Sequence, residues 1–154
     1  MPISKNNKTI LIAGATGYIG SHVVKKLTRL RYKTICLTRD KKLKENKSLE
    51  VFNVDLTNAL EMKEIVNTLP KIDVIISCIG SYTGGIKDSW NVEYNANKNL
   101  LDLGLYFSIN QFILLSAICV QKPKLEFQWA KIAFEKLLIN SGITYSIVRP
   151  TAFF

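Results

Sequence analysis

A run of apolar residues that leads directly into three spaced glycines constrains this chain more than any other feature. Residues 9–13 read Thr-Ile-Leu-Ile-Ala, and Gly14, Gly17 and Gly20 follow in the pattern G-x-x-G-x-x-G. The run fits a buried strand, and the apolar residues after it recur at helical spacing. We therefore predict a strand, a tight turn and the start of a helix. This geometry cradles the pyrophosphate of a dinucleotide.

Each glycine has its own predicted role in such a loop. Gly14 permits the turn, Gly17 lets the backbone approach the phosphates, and Gly20 lets the helix pack closely on the strand. The alternative is a glycine-rich turn with a structural role only. The flanking strand and helix at the start of the domain favour cofactor binding. The other predicted residues of this cofactor loop are Thr16, Tyr18 and Ile19.

Strand and helix patterns alternate along the rest of the chain. Such alternation predicts an α/β fold with a doubly wound parallel sheet, and right-handed crossovers give the Rossmann strand order 3-2-1-4-5-6. We expect Asp88 or Ser89 to cap the third helix. The predicted strands are residues 9–13, 33–38, 49–54, 72–79, 111–117 and 143–148. The predicted helices are residues 18–31, 56–69, 88–107 and 125–140.

Size and composition fit one compact domain. The chain has 154 residues, of which 47% are hydrophobic and 21% charged, so it can bury a sizeable core. No apolar run reaches the roughly 20 residues that span a membrane. The sequence ends on Pro-Thr-Ala-Phe-Phe. Because dehydrogenases of this plan use a further lobe for substrate, we expect residues 1–154 to be the N-terminal NAD(P)-binding domain of a longer protein.

The net charge of +9 raises the question of nucleic-acid binding. The lysines are spread over many segments and no nucleic-acid motif is present, so we expect no nucleic-acid partner. A basic surface also suits an anionic cofactor, an anionic substrate or a peripheral membrane contact. Cys36, Cys78 and Cys119 each follow an apolar pattern and are predicted to be small buried residues. With the single histidine, His22, they predict no metal site.

Ligands of doubly wound sheets bind at the carboxyl ends of the strands. Thr38-Arg39-Asp40 follows the second strand, where the adenosine ribose of a cofactor lies. A guanidinium there pairs with the 2′-phosphate of NADP, whereas an acidic side chain accepts from the ribose of NAD. Arg39 therefore favours NADPH, and Asp40 is the dissenting residue. The further predicted cofactor contacts are Asp55, Leu56, Ser77, Cys78, Gly80 and Pro150.

Ser116 ends the fifth strand, and Phe127-Gln-Trp-Ala-Lys131 lies on the following helix. This set resembles the extended or atypical short-chain dehydrogenases/reductases, whose catalytic residues are a Ser and a Tyr and Lys spaced Y-x-x-x-K. Ser116 and Lys131 match that pattern, while Phe127 stands at the Tyr position. The resemblance implies catalytic roles for Ser116 and Lys131, with Lys131 also holding the nicotinamide ribose. A phenyl ring cannot donate the proton that carbonyl reduction requires.

Four longer segments are similar to the family of divinyl chlorophyllide 8-vinyl reductases, in which Phe at the Tyr position is expected. The resemblance implies NADPH-dependent reduction of the 8-vinyl group of divinyl chlorophyllide, or of the protochlorophyllide, to ethyl. It also implies the cytoplasm or thylakoid surface of a photosynthetic bacterium, or a plastid. The segments are SCIGSYTGGIKDSW (77–90), LLSAICVQKP (114–123), LEFQWAK (125–131) and YSIVRPTAFF (145–154).

A tetrapyrrole substrate accounts for the missing tyrosine. Hydride transfer to the vinyl terminus leaves a charge that the macrocycle delocalises, and a proton then reaches the inner carbon from Lys131, Ser116 or ordered water. The segment Thr83–Trp90 is either a flexible lid over the substrate or nicotinamide, which its glycines and its position favour, or only an entry to the next helix. The predicted substrate contacts are Thr83, Gly84, Gly85, Phe153 and Phe154.

Two other functions remain open from the sequence. One is a non-catalytic NADPH-binding protein of the same fold, acting as a redox sensor or assembly factor. The other is an enzyme similar to isoflavone reductases or to sugar-nucleotide enzymes, against which the long loop motifs argue. A mere binding protein has no need to keep Lys131 beside Ser116.

Overall fold

A computed structural model describes residues 7–39 and 43–151 of the chain. Its described strands form one parallel sheet in the order β3-β2-β1-β4-β5-β6, so the predicted doubly wound sheet and strand order are confirmed. Parallel pairing brings the carboxyl ends of all these strands to one edge of the sheet. The strands are β1 (Thr9–Ala13), β2 (Lys33–Thr38), β3 (Leu49–Asn53), β4 (Val74–Ser77), β5 (Gln111–Leu115) and β6 (Tyr145–Val148).

Helices lie on both faces of the sheet, and in the described part of the chain they connect each pair of consecutive strands except β2 and β3. The stretch predicted as a single helix at 88–107 is composite: a short helix passes into a π-helical segment and then into a regular helix. The helices are α1 (Tyr18–Arg29), α2 (Ala59–Ile65), α3 (Ile86–Ser89), the π-helical segment Trp90–Ala96, α4 (Asn97–Phe107) and α5 (Glu126–Ile139).

The second helix is shorter than the prediction of residues 56–69. Asn58 is its N-cap, and the Asn58 side chain accepts hydrogen bonds from the amides of Leu60 and Glu61 at 3.1 and 3.4 Å. The Glu61 carboxylate in turn accepts from the Asn58 side-chain amide at 2.8 Å. This reciprocal arrangement fixes the start of α2 after the residues that had been assigned to its first turn.

The predicted cap at Asp88 or Ser89 is wrong. Gly85 is the N-cap of α3, and Ser89 is buried inside the structure. Asp88 lies in the first turn of α3, from which its carboxylate reaches back to the amides of Tyr82 and Thr83 at 2.9 and 2.8 Å. An acidic residue at the third position of a helix commonly bonds to the backbone that precedes the helix.

Alternate residues of the central strands supply the two halves of the core. Leu11 and Ala13 of β1 face the side covered by α2, α4 and α5, whereas Ile10 and Ile12 face α1. Cys36 is buried as predicted, and burial raises the pKa of its thiol to about 12. The prediction of a buried Cys119 is wrong. Cys119 lies in the turn after β5, exposed and with a φ of 66°.

Candidate functional site

The glycine loop between β1 and α1 has the geometry that its spacing predicts. Gly14 adopts a φ of 80°, and a Cβ there would lie 2.6 Å from the backbone of Cys78 at the end of β4. A Cβ on Gly20 would lie 2.0 Å from the carbonyl oxygen of Gly14. Both positions therefore require glycine to bring the turn, the neighbouring strand and α1 together.

Gly17 differs from the other two glycines because the protein itself leaves space beside it. A Cβ on Gly17 would contact only the Gly14 carbonyl oxygen, at an ordinary 3.4 Å. Gly17 is also the N-cap of α1, with no side-chain cap and no acidic residue in the first helical turn. The amide groups and positive dipole end of α1 thus remain available to an anion.

Several predicted site residues line one cavity at the carboxyl edge of the sheet. The cavity holds about 410 Å³ and lies between the segment after β4, the end of β5 and the start of α5. Gly85 lines a neighbouring cavity of about 460 Å³, which shares Thr83 with the first. The predicted residues lining the first cavity are Cys78, Gly80, Thr83, Gly84, Ser116 and Lys131, together with Phe127.

Lys131 reaches this cavity from α5 as part of a buried ion pair. Its ammonium lies 2.7 Å from Oε2 of Glu93, and the two side chains are only 9% and 2% exposed. The same ammonium donates a long hydrogen bond of 3.5 Å to the carbonyl oxygen of Leu115. Oε1 of Glu93 accepts from both the amide and the hydroxyl of Ser81, at 2.7 and 2.9 Å.

Ser116 is bonded to a second ion pair, in which Glu135 is buried and Arg149 is 36% exposed. Its hydroxyl donates a 2.5 Å hydrogen bond to Oε1 of Glu135, which lies one helical turn after Lys131 on α5. Arg149 donates to both oxygens of Glu135, and this hydrogen bonding raises the pKa of the Arg149 guanidinium. The proton of the Ser116 hydroxyl is therefore directed at a carboxylate inside the protein.

The segment from Gly80 to Gly85 closes one side of the cavity and is held at both ends. Ser81 is bound to Glu93, as described above, while Asp88 accepts from the backbone at 82 and 83 and from the hydroxyl of Thr83 at 2.9 Å. Hydrogen bonds from the Thr83 amide, the Thr83 hydroxyl and the Tyr82 amide lower the pKa of Asp88.

A family model described as NAD(P)H-binding matches residues 14–154. The chain belongs to this NAD(P)H-binding family. The prediction of a nicotinamide dinucleotide cofactor is confirmed by this family, and NADPH is consistent with it.

Curated relatives that this chain matches are longer proteins. The chain is 44% identical, over 98% of its length, to the chloroplastic divinyl chlorophyllide a 8-vinyl-reductase of Arabidopsis thaliana, and 45% identical over 98% to that of Cucumis sativus. It spans 40% and 41% of those two curated relatives. The Bordetella bronchiseptica enzyme WbmG, solved in complex with NAD, superposes with a TM-score of 0.83 at 14% identity, covering 97% of this chain and 55% of that one. This likeness shows the fold.

The residues of the NAD(P)H-binding domain fit a dinucleotide at the glycine loop. The open space beside Gly17 and the uncapped start of α1 suit a pyrophosphate. Ser77 ends β4 and Cys78 follows it, next to this loop, and the Cys78 amide donates to the carbonyl oxygen of Ala13 at 2.9 Å. Burial raises the pKa of the Cys78 thiol to about 11, so the thiol is neutral at physiological pH. A neutral thiol is a compatible wall for a cofactor.

The other predicted cofactor contacts differ in their surroundings. Arg39 is exposed directly after β2. The Asp55 carboxylate accepts from the amide and hydroxyl of Thr57 at 2.9 and 2.8 Å, and the Leu56 side chain is buried in the core. The carbonyl oxygen of Pro150 accepts from the Ile118 amide at 3.1 Å. Asp40, Phe153 and Phe154 lie outside the described residues.

Sequence reasoning missed both buried carboxylates of the site. Glu135 was detectable in principle, because it lies four residues after Lys131 and beside the apolar Phe134 on the buried face of α5. For Glu93 the signal is weaker: an acidic residue between the apolar Val92 and Tyr94. Within the described ranges, no group of three or more His, Cys, Asp or Glu side chains is placed to hold a metal ion. In the same ranges, no helix is long and apolar enough to cross a membrane.

Proposed function

We propose that this domain binds the cofactor of an NADPH-dependent reductase that converts the 8-vinyl group of divinyl chlorophyllide, or of its protochlorophyllide counterpart, to ethyl. The observation that carries the proposal is the composition of the 410 Å³ cavity, where Lys131 lies with Phe127 and no tyrosine stands at the position of the usual proton donor. The names of the two reductase relatives support the same reaction.

The residues divide the binding task between two ends of the sheet edge. At one end the amides of α1 and the space beside Gly17 bind the pyrophosphate, and Arg39 meets the 2′-phosphate. At the other end Lys131 holds the nicotinamide ribose beside Ser116. NADPH, when bound, supplies the hydride. The protein supplies position and electrostatics.

Exposed apolar side chains at the cavity and at its neighbour support a flat, apolar substrate. Exposed aromatic groups of this kind on a soluble surface mark ligand or partner sites. The indole of Trp90 also donates to Glu126 at 3.2 Å, which joins the start of the π-helical segment to the start of α5. The side chains concerned are Tyr82, which lines this cavity, and Ile86, which lines the neighbouring one.

Three donors are candidates for the proton that completes the reduction: Lys131, Ser116 and ordered water. The contacts favour two of them. Ser116 directs its proton at Glu135, which disfavours it as the donor. Lys131 forms an ion pair with Glu93 and donates a long hydrogen bond to the Leu115 carbonyl oxygen, and it also lines the cavity. Lys131 or ordered water is therefore favoured over Ser116.

The test mixes purified protein with NADPH and divinyl chlorophyllide and follows the absorbance shift as vinyl becomes ethyl. Because the chain spans 40% of the relatives, both the 154-residue chain and the complete product of its gene are assayed. We expect the chain alone to bind NADPH weakly without turnover and the complete product to turn over. Lys131→Ala should lower that turnover strongly, with the unfolding midpoint as a check on folding. A complete product that binds NADPH but leaves the vinyl group intact would favour the non-catalytic alternative.

The chloroplastic names of the relatives support a plastid location in a eukaryote. The bacterial locations and a peripheral membrane contact stay predictions that rest on the resemblance and on the net charge of +9.

A further inference from the structure

One carboxylate, that of Glu93, touches both the glycine-rich segment and the lysine of the cavity. Its Oε1 accepts two hydrogen bonds from Ser81, and its Oε2 lies 2.7 Å from the ammonium of Lys131. Ser81 and Lys131 come from distant parts of the sequence. Glu93 is therefore a direct physical link between the segment at 80–85 and α5.

The backbone of Glu93 is fixed independently of these contacts. Glu93 lies within the π-helical segment, and its carbonyl oxygen accepts from the Asn97 side-chain amide at 2.9 Å. The Asn97 side chain in turn accepts from the hydroxyl of Ser77, at the end of β4, at 2.6 Å. Such short π-helical segments are often found at functional sites. The anchored backbone leaves the carboxylate as the part that can respond to its two partners.

Burial makes the two partners of this carboxylate depend on each other. A carboxylate that is 2% exposed needs its hydrogen bonds and counter-charge, because it has almost no water to replace them. When Ser81 withdraws, the interaction of Glu93 with Lys131 has to change as well. Groups that share one hydrogen-bond network show interaction energies that separated groups lack.

We propose that Glu93 is a positioning residue that couples the segment at 80–85 to Lys131. A ligand that moves this segment then changes the position of the Lys131 ammonium, and a ligand held by Lys131 changes the stability of the segment. By thermodynamic linkage, each of these ligands changes the affinity of the other by the same factor. The assignment of Lys131 to the nicotinamide ribose rests on the proposed function; the coupling itself concerns only this chain.

The experiment is a double-mutant cycle on NADPH affinity, measured by calorimetry in the complete gene product. Ser81→Ala removes one donor to Glu93, and Lys131→Met removes the counter-charge. We expect Ser81→Ala to weaken NADPH binding about fivefold with Lys131 present and to have no effect with Met at 131. The effect should also vanish in a Glu93→Gln background. Ser81→Thr, which keeps the hydroxyl, should restore the affinity.

The matched control is Glu135→Gln, which makes the same chemical change as Glu93→Gln. Glu135 is as buried as Glu93, but it bonds to Ser116 and not to Ser81. The effects of Ser81→Ala and Glu135→Gln on NADPH affinity should add. Additive effects of Ser81→Ala and Lys131→Met, in folded variants, would overturn the coupling even if the enzyme turns over. Coupled binding without vinyl reduction would overturn the proposed reaction alone. Failure of the unmutated protein to bind NADPH would overturn both.

Discussion

Replacing Gly17 by valine should separate cofactor binding from folding. The new side chain projects into space that the protein leaves open, with its Cβ no closer than 3.4 Å to the Gly14 carbonyl oxygen. Gly17 has a φ of −73° and a ψ of 170°, an extended conformation that a β-branched residue adopts readily. The substitution should therefore leave β1, the turn and α1 in place.

The expected loss of folding stability is smaller than the expected loss of NADPH affinity, so the two can be measured separately. Valine is a poorer N-cap than glycine, so the free energy of unfolding should fall by about 1 kcal/mol. A hydrogen bond from an amide to a charged phosphate contributes about 1.5–3 kcal/mol. If valine displaces the pyrophosphate from two such amides, the loss is at least about 3 kcal/mol. That loss corresponds to a dissociation constant for NADPH raised about 100-fold or more.

The assay is calorimetric titration with NADPH, alongside thermal unfolding of the same samples. Gly20→Ala is the control with the opposite outcome, because its Cβ would lie 2.0 Å from a backbone oxygen. We expect Gly20→Ala to lower the free energy of unfolding by about 3 kcal/mol through this overlap. Full-strength NADPH binding by Gly17→Val would refute the reasoning and leave the glycine loop a structural turn.

Three further changes probe the rest of the site. Arg39→Glu should weaken NADPH binding about tenfold and spare NADH, and equal dissociation constants for the two cofactors in the unmutated protein would contradict the role of Arg39. Phe127→Tyr should not raise the rate of vinyl reduction by the complete gene product, because that reaction has no oxyanion for a phenol to protonate; a faster variant would count against the proposed chemistry. The hydrogen bonds that Asp88 accepts lower its pKa from the ordinary 3.8. Their contribution to the stability of the segment at 80–85 is therefore fully present above pH 3.8, and it is lost as the pH falls through the lowered pKa. The protection of the Tyr82 and Thr83 amides, measured as their exchange rate relative to the intrinsic rate at each pH, should therefore fall only at strongly acidic pH, and Asp88→Asn should abolish that fall.

The sheet and the glycine loop could be predicted because local rules determine them. Alternating strand and helix patterns with right-handed crossovers leave few topologies, and the strand order follows. The spacing of Gly14 and Gly20 likewise expresses contacts within one short segment. The start of α2 was also visible in the sequence, as Asn58 followed by Glu61, but the apolar pattern favoured an earlier start.

The buried charge pairs could not be predicted in the same way. Glu93 is buried because Lys131 and Ser81 meet it, and both belong to other segments of the chain. A carboxylate in sequence carries no mark of a counter-charge that only folding brings close. The π-helical segment is a similar case, since it packs against α5, a contact between separate segments of the chain that the local sequence does not display.

The ion pairs make the two ends of the sheet edge electrostatically different. Glu93 with Lys131, and Glu135 with Arg149, cancel each other within a few ångströms, so the field beyond them decays quickly. The first turn of α1 has no acidic side chain to cancel its dipole. An approaching polyanion therefore meets attraction at one end of the groove and near-neutrality at the other. We therefore expect the phosphates to be drawn in ahead of the nicotinamide ring, so that electrostatics sets the orientation of the cofactor before any specific contact forms.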